Sequence, residues 1–447
     1  MISGVPRVPL LASPVGDELR TLLSPLTPEA FVRDYWAKKP LFVKGFAQKY
    51  HGFFDAETFS RVISGPGPFP DDFLRASFDQ KTSSGTSAPV KVPGDGSSSV
   101  FRASVDQAVA LYSAGATLCV SQIETRVPSL GPFLAGIKRQ LGFPGKVCFN
   151  AYLSPPGSGF NWHFDSRIAS TLQIEGTKRW RYSNSLAIAW PRANGTLRDG
   201  TAQYADPSVV AQHWERLIPF NDADTTEVLL EPGDLLILPA GIWHEACGGA
   251  GGSLALNLSF NALSYTVLVR NVLDAVLAPE AGWRGASPVL PGETPGLADP
   301  AGVAAISAEL SRAAAVLQAL SGDSAAVVRL WQSMVQNLDS ASAAPQPPNA
   351  GPPVAANARL RVRRDGNIHA MLADGGSRLC LAVGPSGSME LTGEAVAFTQ
   401  RILAEREFVA ADCVGWNPDG TVFAWSDVAA MLTTLKHHGL IEDAQAG

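Results

Sequence analysis

The sequence predicts an α+β protein whose centre is a β-sandwich or jelly roll set between helical segments. Three observations predict it. From Lys146 to Phe260 short, apolar-rich runs alternate with turn residues, the signature of a closed or double-layered antiparallel sheet. Before that stretch the apolar spacing is helical, and after Phe260 strand patterning gives way to Ala- and Leu-rich helical spacing. Composition is that of a globular protein, 46% apolar and 17% charged, with ample length to bury a core.

Taken in order, residues 1 to about 24 read as a loose arm. Thr27-Pro28-Glu29 starts a helix, with Thr as N-cap and Pro at the first helical position, and Phe31 and Tyr35 share its apolar face. Lys39-Pro40 ends it, and Leu41-Phe42-Val43 is a short strand. A helix near 55–63 follows, then a Ser/Gly/Pro-rich loop over about 79–99, a helix capped by Ser104, a strand over 116–122 and a helix over 128–141. In the central region strands are predicted at 146–153, 170–175, 179–182, 226–230, 235–238 and 254–260. Gly176-Thr177 and Gly233-Asp234 supply turns, and 183–225 makes a polar excursion. Helices are expected at 267–277, 301–320 and 325–338. The last 90 residues read as two helices plus a small sheet. This divides the chain into 1–262, a helical unit 263–340, a linker 341–357 and a final module 358–447.

Bulk properties exclude several classes. A net charge of −6 argues against an electrostatic nucleic-acid binder. Five scattered cysteines without a C-x-x-C pair argue against a disulfide framework and a structural zinc site, and favour a reducing compartment. No run approaches the ~18 consecutive apolar residues of a membrane span, and no signal peptide is evident, so the cytoplasm is the expected location.

The chemistry concentrates in Asn161-Trp162-His163-Phe164-Asp165 and, far downstream, Trp243-His244. Side chains two apart in an extended segment project to one face, so His163 and Asp165 can act together, and His244 follows the Leu235–Leu238 strand. Two neutral imidazoles and one carboxylate are the ligand set of non-haem Fe(II) oxygenases, leaving positions open for a 2-oxo acid and dioxygen. Lys178 could anchor a dicarboxylic acid at the inner end of a barrel, or could be one of three solvated cations with Arg179 and Arg181. Tyr152 and Asn150 share a strand face ahead of the triad. Asn257 and Ser259 share one in Ser253–Ser259. Each pair also suits a plain half-buried strand.

Several segments resemble the JmjC-type ribosomal oxygenases, the cupin-4 family. They are Asn150-x-Tyr152-Leu153-Ser154-Pro155-Pro156-Gly157, His163-x-Asp165, Gln173-x-x-Gly176-x-Lys178-Arg179-Trp180, and Glu231-Pro232-Gly233-Asp234 through His244. Ser24-Pro25-Leu26-Thr27-Pro28-Glu29-x-Phe31 through Tyr35-Trp36-x-Lys38-Lys39-Pro40-Leu41 extends the resemblance. It implies a double-stranded β-helix (JmjC-type cupin) core, a helical dimerisation unit and a winged-helix-like module. It also implies iron held by His163, Asp165 and His244, and 2-oxoglutarate held by Lys178 with Tyr152 and Ser259, with Asn150 and Asn257 as neighbours. The implied reaction uses dioxygen to hydroxylate a side chain in a protein or peptide, a ribosomal protein or a peptide natural-product precursor, in a homodimeric enzyme. A demethylase or small-molecule hydroxylase with the same triad, and a non-catalytic cupin scaffold, are the alternatives. The chain departs from the family at Ser166-Arg167-Ile168-Ala169-Ser170: the expected aromatic is missing at 170, which would widen the pocket, and Arg167 puts a charge near the reacting face.

Overall fold

The fold is described from a computed structural model, for residues 9–10, 16–65, 73–78, 99–102, 105–198, 200–204, 217–261, 264–285, 300–336, 352–363, 368–383, 388–405, 407–417 and 420–444. The expected loop at 79–98, the cap Ser104 and linker residues 341–351 lie outside the described residues. Contacts divide the chain into two units. The first comprises Met1–Leu141, Gly145–Ala262 and Leu338–Ser342, and the second Gly142–Pro144, Leu263–Asn337 and Ala343–Gly447.

The first unit begins with α1 (Glu18–Leu23) and α2 (Pro28–Asp34). α1 falls within the stretch expected to be loose, but Leu19, Leu22 and Leu23 are fully buried and fix it. Thr27 caps α2 as expected, its hydroxyl accepting from Ala30 N at 3.2 Å. β1 (Leu41–Val43), α3 (Ala56–Ser64, capped by Asp55), β2 (Leu74–Phe78), β3 (Ser99–Arg102), α4 (Val105–Ser113), β4 (Thr117–Val120) and α5 (Gly131–Gln140) lead into the central strands. These are β5 (Lys146–Ser154), β6 (Gly159–Phe164), β7 (Ile168–Leu186), β8 (Gly195–Arg198), β9 (Thr201–Tyr204), β10 (Thr225–Leu230), β11 (Leu235–Leu238) and β12 (Ile242–Asn261).

Two long strands organise them. The first half of β7 pairs with β11 and with the second half of β12, and the series continues through β5, β4, β2 and β3. The second half of β7 pairs with β10 and the first half of β12; β12 pairs in turn with β6, β6 with β8, and β8 with β9. Antiparallel β7 and β12 therefore belong to both layers, as in a jelly roll.

The turn expected at Gly176-Thr177 is instead a bend inside β7. Gly176 has φ +64, and a Cβ there would lie 2.2 Å from the Gly252 carbonyl oxygen. Only glycine allows this backbone conformation and this approach together. The facing irregularity in β12 falls between Gly248 and Ser253, where register shifts. The glycines bend a paired ribbon without ending it. Gly233-Asp234 does form the expected turn: the Asp234 carboxylate is buried and accepts from Gly45 N at 2.8 Å and Glu231 N at 2.9 Å. The excursion at 183–225 contributes β8 and β9, which extend the β6 side of the layer.

The second unit contains α6 (Tyr265–Leu277), α7 (Pro300–Ser321) and α8 (Ser324–Gln336). β13 (Arg359–Val362), β14 (Ile368–Ala373), β15 (Arg378–Val383), β16 (Ser388–Thr392), α9 (Glu394–Ala404), β17 (Glu407–Val409), α10 (Trp425–His437) and β18 (Ile441–Asp443) complete it. The small sheet expected near the C-terminus is two three-stranded sheets, β17-β13-β18 and β14-β15-β16. Their strands are short, so β14, β16, β17 and β18 offer few residues over which a period can be read. α8 does not stand apart in a helical unit. The Gln332 amide donates to the carbonyls of His369 and Cys380, both at 2.9 Å, tying α8 to β14 and β15. Among the described residues one helix, Gly302–Ser321, is long and apolar enough to cross a membrane by length and composition. It is an alanine-rich stretch that carries Glu309 and Arg312.

Candidate metal centre

β6 and the start of β12 hold their functional residues by alternation. Trp162 and Phe164 flank His163 and join Trp243, Tyr204 and Ile188 in a buried apolar cluster. Burying such rings is worth about 2–3 kcal/mol each and fixes which face of the strand turns outward. His163 is left to face the opposite side, and His244, next to Trp243, does the same. The two histidines are register partners across β6 and β12, with ring centroids 4.2 Å apart. Asp165 follows the end of β6, and the Gly241 N–H donates to its carbonyl oxygen at 2.9 Å.

One ligand atom each from His163, Asp165 and His244 lie within 4.8 Å of one another. His163 Nδ1 lies 2.7 Å from the Asn161 carbonyl oxygen, and His244 Nδ1 lies 2.9 Å from that of Ile242. A carbonyl oxygen only accepts, so each Nδ1 carries a proton and each Nε2 is the ring nitrogen left to face a metal. Burial, reinforced by His163, pushes the His244 pKa down to about 3, so its imidazole is neutral. Burial works against ionisation of Asp165, but Arg167, 4.0 Å away, leads the charges that hold its carboxyl below the usual range. Two imidazole nitrogens and one carboxylate fit a divalent transition metal with open positions.

The triad opens into a cavity of about 100 Å³ between the two layers, room for several waters or a small organic acid. Tyr152 on β5, Lys178 on β7 and Asn257 on β12 line it, as their sequence positions led us to expect. Lys178 is 2% exposed, with its ammonium 5.6–5.8 Å from the ring centres of Tyr152, Phe160 and Trp180. Burial lowers its pKa to about 8. No ion pair to Lys178 occurs among the described residues, so a cation faces the cavity without a carboxylate partner. The Asn257 Oδ1 atom is also buried without a hydrogen bond. The bland alternative of a solvated Lys178 beside Arg179 and Arg181 is excluded, because Arg179 and Arg181 pair with Glu227 and Asp222 on the other face.

Ser259 and Asn150 do not reach this wall. Ser259 lies one pleat beyond Asn257, and the Asn150 side-chain oxygen Oδ1 accepts from Gln122 N at 3.2 Å. The expected widening at position 170 also falls on the wrong face: Ala169 and Thr171 line the cavity, and Ser170 points away from it. Sequence reasoning missed Arg75, Cys119, Asn194 and Trp180. Arg75 and Cys119 come from strands outside the motif region. Trp180 carried a usable signal, since it is two residues from Lys178 on the same strand face.

Residues 137–268 match the family described as JmjC domain. The chain is 26% identical over 279 residues to the uncharacterized protein YxbC of Bacillus subtilis, covering 60% of this chain and 77% of that protein. It is 29% identical over 264 residues to ribosomal oxygenase 1 of Gallus gallus, covering 58% of this chain but 39% of that protein. Among solved structures, the ribosomal oxygenase YcfD of Escherichia coli, in complex with cobalt and succinic acid, aligns at 16% identity with a TM-score of 0.49. That alignment covers 94% of this chain and 98% of the other. The chain thus spans about two fifths of the length of the avian ribosomal oxygenase it matches. Residues 137–268, which match the JmjC domain, hold all three candidate ligands, and the chain is similar in sequence to ribosomal oxygenase 1 over that stretch and beyond it.

Proposed function

We propose that the protein is an Fe(II)- and 2-oxoglutarate-dependent oxygenase that hydroxylates an amino-acid side chain in a protein or peptide. One observation carries this reading. Two histidines whose Nδ1 atoms are committed to backbone carbonyls converge with Asp165 at one end of a cavity, and the ammonium of Lys178 faces the same cavity without a carboxylate. His163, Asp165 and His244 would hold the iron, which with 2-oxoglutarate supplies the oxidising chemistry for an unactivated carbon. Lys178, with the Tyr152 hydroxyl and the Asn257 side chain, would receive the co-substrate's far carboxylate. The rings of Phe160 and Trp180 exclude water from that end and strengthen the charge pairing. The relatives' names support a protein substrate: one is ribosomal oxygenase 1, and another, from Drosophila persimilis, is a bifunctional lysine-specific demethylase and histidyl-hydroxylase.

The test is succinate formation by Fe(II)-loaded protein with 2-oxoglutarate and candidate peptides, read with the mass gain of one oxygen on the peptide. Absence of both metal uptake and 2-oxoglutarate binding would leave the scaffold reading in its place. We also propose a homodimer formed through the helices after residue 263. The exposure of Val303, Ile306 and Leu310 on α7 supports it, and light scattering tests it.

A further inference from the structure

Beside the triad the cavity wall carries a second constellation, made only of hydrogen-bond donors. Asn194 Oδ1 accepts from both Ser166 N at 2.8 Å and Ser166 Oγ at 3.1 Å. Because the Ser166 N–H can only donate, these bonds identify the oxygen and leave the Asn194 amide NH₂ as the free end. Asn194 and Arg167 both line the cavity and are joined through Ser166. The Arg167 side chain is 28% exposed, yet its Nε is buried with no hydrogen-bond partner. Its ion-pair partner is Asp165 at 4.0 Å, beyond hydrogen-bond distance, and that carboxylate also offers an oxygen to the cluster with His163 and His244. A planar guanidinium with an unsatisfied N–H, next to an oriented amide donor, matches a carboxylate in geometry and charge. It repels an ammonium or a second guanidinium.

Resting on the oxygenase reading above, we infer that Arg167 and Asn194 select the substrate: they bind the carboxylate of an Asp or Glu side chain at the position presented to the metal. The substrate is then an acidic segment of protein or peptide.

The test uses full-length protein loaded with Fe(II) and 2-oxoglutarate without oxygen, and capped pentapeptides Ala-Ala-X-Ala-Ala with X as Asp, Asn or Lys. Calorimetry reads binding, and succinate release in air reads coupling. The Asp peptide is expected to bind about tenfold or more tightly than the other two, the size of one charge-assisted contact. Arg167→Gln should abolish that preference, and Arg167→Glu should turn it toward the Lys peptide. Asn194→Asp keeps an acceptor for both Ser166 bonds but replaces the outward donor with an acceptor, and should weaken the Asp peptide about tenfold. Equal binding of the three peptides, or binding of none, overturns the inference. So does an Arg167→Gln protein that keeps the preference and loses only iron affinity, since Arg167 would then serve Asp165. Iron and 2-oxoglutarate titrations of the wild type, run first, separate these outcomes from failure of the oxygenase reading.

Discussion

His163 and His244 stand opposite each other as register partners on β6 and β12, with each Nδ1 bonded to the carbonyl two residues earlier in its own strand. The backbone therefore sets both tautomers before any metal arrives. His163→Ala and His244→Ala should each lower divalent-metal affinity by roughly 100-fold or more, since removing even an outer partner of a ligand costs about 10–100-fold. Both proteins should stay folded, because the apolar side of each strand is untouched. Cobalt titration by absorbance, with circular dichroism as control, checks this.

Lys178→Ala should weaken 2-oxoglutarate binding roughly 10- to 100-fold, the worth of a hydrogen bond to a charged group, and leave metal binding intact. Calorimetric titration in the presence of metal measures it.

The same lysine predicts a pH dependence. Its pKa is lowered to about 8 by burial, so it loses its proton as pH rises through that value. 2-Oxoglutarate should bind well at pH 7 and progressively less tightly from about pH 8 upward. Titrations across that range should show the decline in the wild type and none in Lys178→Met.

Stability should respond in the opposite sense. A lysine whose folded pKa lies below its unfolded value binds fewer protons when folded, so stability of the ligand-free protein rises with pH between about 8 and 10.5. Lys49, buried with its ammonium donating to the Leu22 carbonyl, has the same shift to about 8 and contributes to the same window. Lys178→Met should be more stable than wild type at pH 7 and show a smaller slope above pH 8. Urea unfolding at several pH values checks both.

Gly176→Val should cost about 2–4 kcal/mol, because it combines a positive φ with a Cβ placed against the Gly252 carbonyl oxygen. Gly157→Ala, at φ +75 with open space around it, should cost about 1 kcal/mol. Thermal unfolding of the two compares backbone strain with strain plus collision.

Much of this was legible in the sequence because the informative features are local. Alternation around His163 and before His244 reports which face each residue takes, and Thr27 and Asp55 cap their helices through bonds to residues three positions on. What escaped depends on contacts distant in sequence. Gly176 reads as a turn residue, since its role is set by Gly252 across the ribbon. Ser259 shares a strand face with Asn257, but periodicity does not say how far along the strand the cavity extends. Arg75 and Asn194 reach the wall through pairings of β2 and through a loop bond to Ser166 that no motif encodes.

That two strands serve both layers has a dynamic corollary. The end that holds His163 and His244 and the Lys178 end are stitched by the same hydrogen-bonded ribbon, so the two cannot part without breaking its ladder bonds. Exchange of ribbon amides with deuterated solvent should accordingly report global unfolding and nothing smaller.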